Sequence, residues 1–172
     1  MLNVRSGDID KLGLLFERYK ESLFGYYYRI TRDIEISEDL VQTVFLRILK
    51  YRYRFTGEGK FSTWMYYIAH NVYSDYIKKR NSYQLSADCS RAESANYSTA
   101  ERLVLEKESV QRIQKALDLL SNDQREILVL SRYQGLKYKE IGEIFNCSVG
   151  AVKVRVFRAI MNLKQIYEKL EG

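Results

Sequence analysis

Residues 61–80, FSTWMYYIAHNVYSDYIKKR, constrain the fold most, because they carry two different stripes at helical spacing. Met65, Ile68, Ala69, Val72 and Tyr76 recur at three- and four-residue steps and define an apolar face. Trp64, Tyr67, Asn71, Ser74 and Lys78 follow the same period on a second face, running aromatic, aromatic, amide, hydroxyl, ammonium. A core face would not hold an amide and an ammonium without a partner for each, and a solvated face has no use for a tryptophan. Rings interleaved with polar groups, ending in Lys78, Lys79 and Arg80, suit unpaired bases on a phosphate backbone. The competing reading is an aromatic-rich core helix with a basic end.

The remaining helices follow from the same period, and the absence of proline favours helix throughout. Asp8 or Asp10 is placed to cap a first helix reaching about Arg32, with Leu12, Leu15, Phe16, Tyr19, Leu23 and Tyr27 on its buried side. Ser37 is expected to cap a second helix, which is apolar on two sides. Leu40, Val41, Val44, Ile48 and Tyr51 form one face; Asp39, Gln42, Leu46, Leu49 and Tyr53 lie roughly opposite. Full burial would leave Asp39 and Gln42 inside without partners, so the second face is read as a docking surface. A central bundle helix is the alternative. Thr56–Lys60 is read as a loop; it lacks the glycine spacing, the hydroxyl residue and the preceding strand of a nucleotide-phosphate loop.

Residues 82–99, rich in serine, alanine and asparagine and without periodicity, are expected to be a flexible linker, about 60 Å long if extended. A second helical module is expected over 100–172. Ser98 with Glu101, and Ser121 with Gln124, suit capping boxes, and Gly135 a left-handed cap. Tyr138–Phe145 reads as a short helix, Asn146–Cys147 as a turn, and Ser148 as the cap of a long helix. That helix buries Val149, Val152, Val156, Ile160 and Leu163. Outward it shows Gly150, Ala151, Val154 and Arg158, flanked by Lys153 and Arg155. Short helix, tight turn and long helix with this outer face read as a helix-turn-helix, with a plain helical hairpin as the alternative.

Charge supports nucleic acid as a partner. Residues 51–85 carry six basic groups against two acidic, residues 86–108 three against five, and residues 109–172 eleven against seven. Two basic regions thus flank an acidic connector. Cys89 and Cys147 have no paired spacing and fit a reducing cytosol. The chain shows no signal-peptide pattern and no membrane-length apolar run.

EDLVQTVFLRI, FSTWMYYIAHNVYSDYI and DQREILVLSRYQGLKYKEIGEIFNCSVGAVKVRVFRA together resemble the extracytoplasmic-function (ECF) sigma factors, short members of the bacterial sigma-70 family. The resemblance covers nearly the whole chain. It implies an all-α fold of two small helical domains: region 2 over residues 1–81 and the region 4 helix-turn-helix over 100–172, joined by the linker. It implies binding to core RNA polymerase and to promoter DNA, with docking on the β′ clamp helices by Asp39, Gln42, Thr43, Leu46 and Leu49. Recognition and melting of the −10 element would fall to Phe61, Trp64, Tyr67 and Asn71, with loop residues 56–62 shaping base choice and Lys78, Lys79 and Arg80 on phosphates. Reading of the −35 element would fall to Lys153, Phe157 and Arg158, with Arg155 on phosphate. It also implies an anti-sigma factor, commonly membrane-bound, and a cytoplasmic location. Thr43 stands where many relatives are acidic, Lys137 replaces the usual hydroxyl cap, the usual proline before Asp123 is missing, and Val154 stands where serine is common.

Melting needs no catalytic side chain, so no enzymatic activity, cofactor, metal site or small-molecule substrate is expected. His70, the one histidine, is read as a polar surface or interface group. The free protein is expected to pack its two modules together and mask its DNA-binding surfaces. A stand-alone helix-turn-helix regulator is the second reading; it explains residues 109–172 and leaves the 61–80 stripe without a role. A helical enzyme lacks a defensible set of catalytic groups.

Overall fold

Helix boundaries in this chain are set by a few residues whose backbone or side chain closes a helix end. The computed structural model describes residues 1–86 and 104–171, and among them every regular element is helical. A short α1 (Leu2–Arg5) leads into α2 (Lys11–Thr31), α3 (Ile34–Lys50), a 3₁₀ turn at Arg52–Arg54, and α4 (Phe61–Ser86). Then come α5 (Val104–Asp118), α6 (Asn122–Leu128) with a π-helical turn at Val129–Tyr133, α7 (Tyr138–Ile144) and α8 (Val149–Glu171). The two-module helical organisation expected from the sequence is present. Helix α4 continues past Ser82, where the linker was expected to begin, to Ser86. The rest of that segment as far as residue 99, with the Ser98–Glu101 box, lies outside the described residues.

The α2–α3 junction differs from the expected one. Helix α2 ends on Arg32 in the left-handed region (φ 61°), whose N–H returns to the Tyr28 carbonyl. Asp33, not Ser37, then caps α3. Asp33 has extended backbone, and its carboxylate accepts the Ile36 N–H at 3.0 Å. Ser37 is fully buried in the first turn, bonded to the Thr31 hydroxyl at 2.9 Å and to the Asp33 carbonyl. The aspartate wins because it meets the helix's first orphan donors before Ser37 can. Asp10 precedes α2, but its side chain makes no cap bond.

Leu23, Tyr26, Tyr27 and Ile30 of α2, Leu40, Val41, Val44, Phe45 and Ile48 of α3, and Met65, Ile68, Ala69 and Val72 of α4 form the first core. Ile127, Leu130, Ile141, Ile144, Val152, Val156 and Ala159 form the second, and the two are continuous. In α8, Ala159 is buried where Ile160 was expected; Ile160 is 36% exposed and Val149 41%. Residues 152, 156, 159 and 163 track the 3.6 period closely, and 149 and 160 sit at the stripe's edge.

The modules meet through polar groups as well as apolar ones. The π-turn directs Gln134 at the first module. Its Oε1 accepts from the Ser22 hydroxyl (2.9 Å) and the Tyr66 phenol (2.7 Å), while its Nε2 donates to the Ser22 carbonyl (3.3 Å). Arg32 pairs with Asp118 at 3.0 Å and Lys60 with Glu140 at 2.8 Å. Arg125 donates to the carbonyls of Leu117, Asp118 and Leu120 at the α5 end and to that of Ile30 in α2.

Candidate functional site

Helix α3 buries one face and leaves the other open. Leu40, Val41, Val44 and Ile48 are core. Opposite them Asp39 and Gln42 are exposed, Thr43 and Leu49 half-buried, and Leu46 is 67% exposed. The Thr43 hydroxyl donates to the Asp39 carbonyl one turn back at 2.8 Å. A leucine at that exposure beside an acid and an amide gives an apolar contact point with a polar rim, and a fully buried central helix is excluded.

Helix α4 separates its two stripes as the spacing predicted. Met65, Ala69 and Val72 are buried. Trp64 and Asn71 are half-buried and Tyr67 is 44% exposed, and all three line a cleft of about 340 Å³. The other wall comes from Arg47, Tyr51 and Arg54, which the sequence reading did not single out for this face. For Tyr51 and Arg54 the signal was present in the alternation Tyr51-Arg52-Tyr53-Arg54 directly after α3; Arg47, within α3, had none. The Arg54 guanidinium lies 4.9 Å from the Tyr51 ring centre, and Arg47 is held by Asp75 at 2.8 Å. The cleft thus combines ring faces, an amide and two arginines, one of them paired with Asp75, which also lines it. The Asn71 amide donates to the Tyr67 carbonyl at 2.9 Å, which orients its oxygen. Phe61 sits behind the cleft, edge-on to Tyr19 (5.3 Å) and 6.2 Å from Trp64, where it props the tryptophan. Lys78, Lys79 and Arg80 are exposed further along the same helix.

The second candidate face is built by the α7–α8 turn. The Glu140 side chain accepts the Lys137 N–H at 2.8 Å, so α7 is closed from its third residue without a hydroxyl cap. Burial acts to raise the Glu140 pKa, but hydrogen bonds from Lys60 and the Lys137 N–H, with their charges, hold it below the ordinary value. Asn146 takes the left-handed conformation (φ 49°), and the Ser148 hydroxyl accepts the Ala151 N–H at 3.2 Å, capping α8 as expected. A Cβ on Gly142 would stand 2.7 Å from the Cys147 carbonyl oxygen, so the turn closes directly over a glycine. From this turn α8 presents Lys153, Arg155 and Arg158 exposed, with Val154 48% and Phe157 64% exposed between them. An exposed phenylalanine among cations on a helix set up by a tight turn fits a groove-reading helix.

The contact between modules does not cover these surfaces. It uses the Tyr66, His70 and Tyr73 side of α4, leaving the cleft and the outer face of α8 open, contrary to the masking expected from the sequence. Among the described residues no cluster of potential metal ligands occurs and no helix is long and apolar enough to cross a membrane.

Comparison with known proteins agrees with this division. Residues 15–83 match the family model for sigma-70 region 2, and residues 110–163 that for sigma-70 region 4. The chain is 30% identical over 165 residues to the ECF RNA polymerase sigma-E factor of Escherichia coli, covering 91% of this chain and 86% of the relative. It is 28% identical over 166 residues to the RNA polymerase sigma-H factor of Pseudomonas aeruginosa, with the same coverage. Among solved structures it is similar to the sigma factor RpoE in complex with the anti-sigma factor NepR from Bartonella quintana, with TM-score 0.76, 25% identity, and coverage of 91% of this chain and 96% of that one. CnrH, solved with the cytosolic domain of CnrY, shares the fold at TM-score 0.72 and 21% identity, over 98% of this chain and 94% of that one. The chain belongs to the extracytoplasmic-function sigma factors of the sigma-70 family.

Proposed function

We propose that this sigma factor docks on the β′ clamp helices of core RNA polymerase through Asp39, Gln42, Thr43, Leu46 and Leu49. It then holds −10 bases in the α4 cleft and reads the −35 element with α8. Trp64 and Tyr67 supply stacking faces, Asn71 a directional amide, and Phe61 the support behind them. Lys78, Lys79 and Arg80 follow the phosphates. Lys153, Phe157 and Arg158 meet base edges, with Arg155 on phosphate. Arg47, Tyr51 and Arg54 complete the cleft wall. Each stacked base returns ~1–3 kcal/mol, enough to offset the few kcal/mol needed to extrude it, so the chain works without catalysis, cofactor or small-molecule substrate.

The observation that carries this reading is the α4 cleft: an open, aromatic and basic surface that a stand-alone helix-turn-helix regulator would not need. Action is in the cytoplasm, with polymerase. An anti-sigma factor, membrane-bound or free, is a further proposed partner, suggested by the RpoE–NepR structure. The test is gel filtration with cognate core polymerase. Wild type should co-elute and folded Leu46→Asp should not. If Leu46→Asp binds normally, the docking face is wrong; if folded wild type does not bind, the polymerase role is wrong.

A further inference from the structure

Glu126 is a carboxyl group on α6 with 2% of its surface exposed, and its partners come from the other module. Its Oε1 accepts from the Tyr26 phenol of α2 at 2.5 Å and faces His70 Nδ1 of α4 at 2.9 Å. The His70 ring packs 4.5 Å from Phe145, at the end of α7. One oxygen on the second module thus ties together two helices of the first. A buried carboxylate is costly unless its bonds are made, so this contact stabilises packing only while each partner is in place.

The geometry of promoter engagement requires that contact to break. Elements centred near −35 and −10 are about 25 base pairs apart, or ~85 Å of duplex. A packed chain of 172 residues has a radius of gyration of about 16 Å, hence is roughly 40 Å across. The cleft on α4 and the outer face of α8 are both open, yet they ride on one body too small to reach both elements. Inhibition in this state comes from fixed spacing rather than from coverage.

We propose that Glu126, Tyr26 and His70 form a protonation-sensitive latch that holds the two modules closed and must open for promoter binding. This rests on the assignment of the two modules to the −10 and −35 elements. His70 faces Glu126 and Asp123 on α6 and Phe145 beyond α7; Glu126 in turn faces Tyr26 and Tyr27 on α2. Burial works against a charged His70, but the Glu126 hydrogen bond and the Glu126 and Asp123 charges outweigh it and raise its pKa above the ordinary value. Burial pushes the nearby Tyr66 and Tyr73 phenols up to about 12 and Tyr26 well above 10, so these stay neutral near neutral pH. With a raised closed-state pKa, the histidine's contribution to closure is complete below about pH 6.5 and is lost as pH rises through the closed-state value. Acidification tightens the latch and alkalinity loosens it.

Small-angle X-ray scattering of the full-length free chain between about pH 6 and pH 8.5 tests this without polymerase or DNA, so it fails or succeeds independently of the co-elution experiment. Wild type should sit near 16 Å at the acid end. It should expand at the alkaline end toward the ~30 Å expected for modules ~60 Å apart, a one-fifth open population giving about 20 Å. His70→Gln and Glu126→Gln, each confirmed helical by circular dichroism, should show no change across that range. If Glu126→Gln fails to fold, Tyr26→Phe replaces it and should be more open than wild type at the acid end. A wild-type radius flat across the range, an extended chain at pH 6, or a His70→Gln variant that responds like wild type would each overturn the proposal.

Discussion

Replacing Gly142 by alanine adds one methyl group to α7 and should damage the helix-turn-helix out of proportion to its size. The new Cβ would lie 2.7 Å from the Cys147 carbonyl oxygen, closer than real Cβ contacts come. That oxygen is backbone, in a turn closed by the Cys147 N–H to Gly142 carbonyl bond at 2.9 Å and the left-handed Asn146. No rotamer change relieves the clash; α7 and the start of α8 must separate. Overpacking of this kind costs about 1–3 kcal/mol, and at ~2–4 °C per kcal/mol for a chain of this size the melting temperature should fall by about 2–12 °C. Because the shift moves the first turn of α8, binding of −35 duplex by the holoenzyme should weaken as well. Gly13→Ala is the matched control. It sits in the first turn of α2 with nothing within 4 Å of an added Cβ, and should hold or raise stability by ~0.4–1 kcal/mol through the unfolded chain. Thermal melts by circular dichroism on the three proteins read the difference. If Gly142→Ala melts with wild type and binds −35 duplex as well, the turn does not fix α8 in the way described.

Three further outcomes are expected. Tyr67→Ala, in a side chain 44% exposed, should leave the melting temperature within about 2 °C of wild type. It should weaken holoenzyme binding to −10 single strand by roughly 5- to 150-fold, the equivalent of ~1–3 kcal/mol of stacking; filter binding shows it, and unchanged affinity removes Tyr67 from the site. Arg155→Ala should weaken duplex binding similarly for all sequences and make the slope of log K against log salt less negative by about 0.9; a sequence-selective loss would make Arg155 a base reader instead. Arg125→Met removes four side-chain bonds to carbonyls at the ends of α5 and α2. With bonds to a charged group worth ~1.5–3 kcal/mol each and far from additive, the chain should lose about 3 kcal/mol in chemical denaturation. A loss under about 0.5 kcal/mol would show that water replaces these bonds.

The surfaces were legible in the sequence where one helix carries two faces. The stripes of α3 and α4 follow from a period within a single element, and the structure places Leu46 and Tyr67 outward and Val44 and Met65 inward accordingly. The turn before α8 was legible because Ser148 and Asn146 act locally. Contacts between elements were not. Tyr51 and Arg54 join the cleft because the chain turns at the end of α3 and through the 3₁₀ turn, and Arg47 joins it from within α3 through its pair with Asp75 of α4. Glu126 reads as an ordinary surface acid of a short helix; its burial depends on Tyr26, 100 residues away, and His70, 56 residues away. Asp33 lies in the charged run Arg32-Asp33-Ile34-Glu35, which resembles a break in periodicity as much as a cap. The role of Gln134 depends on a π-turn that no residue pattern announces.

The most direct test of the central claim is transcription by cognate core RNA polymerase on sheared genomic DNA, with and without this chain, followed by mapping of RNA 5′ ends. Addition of the protein should create new start sites that share two motifs, one near −35 and one near −10, and Leu46→Asp should create none. The claim is contradicted if folded wild-type protein binds duplex DNA by itself yet adds no start site to core polymerase.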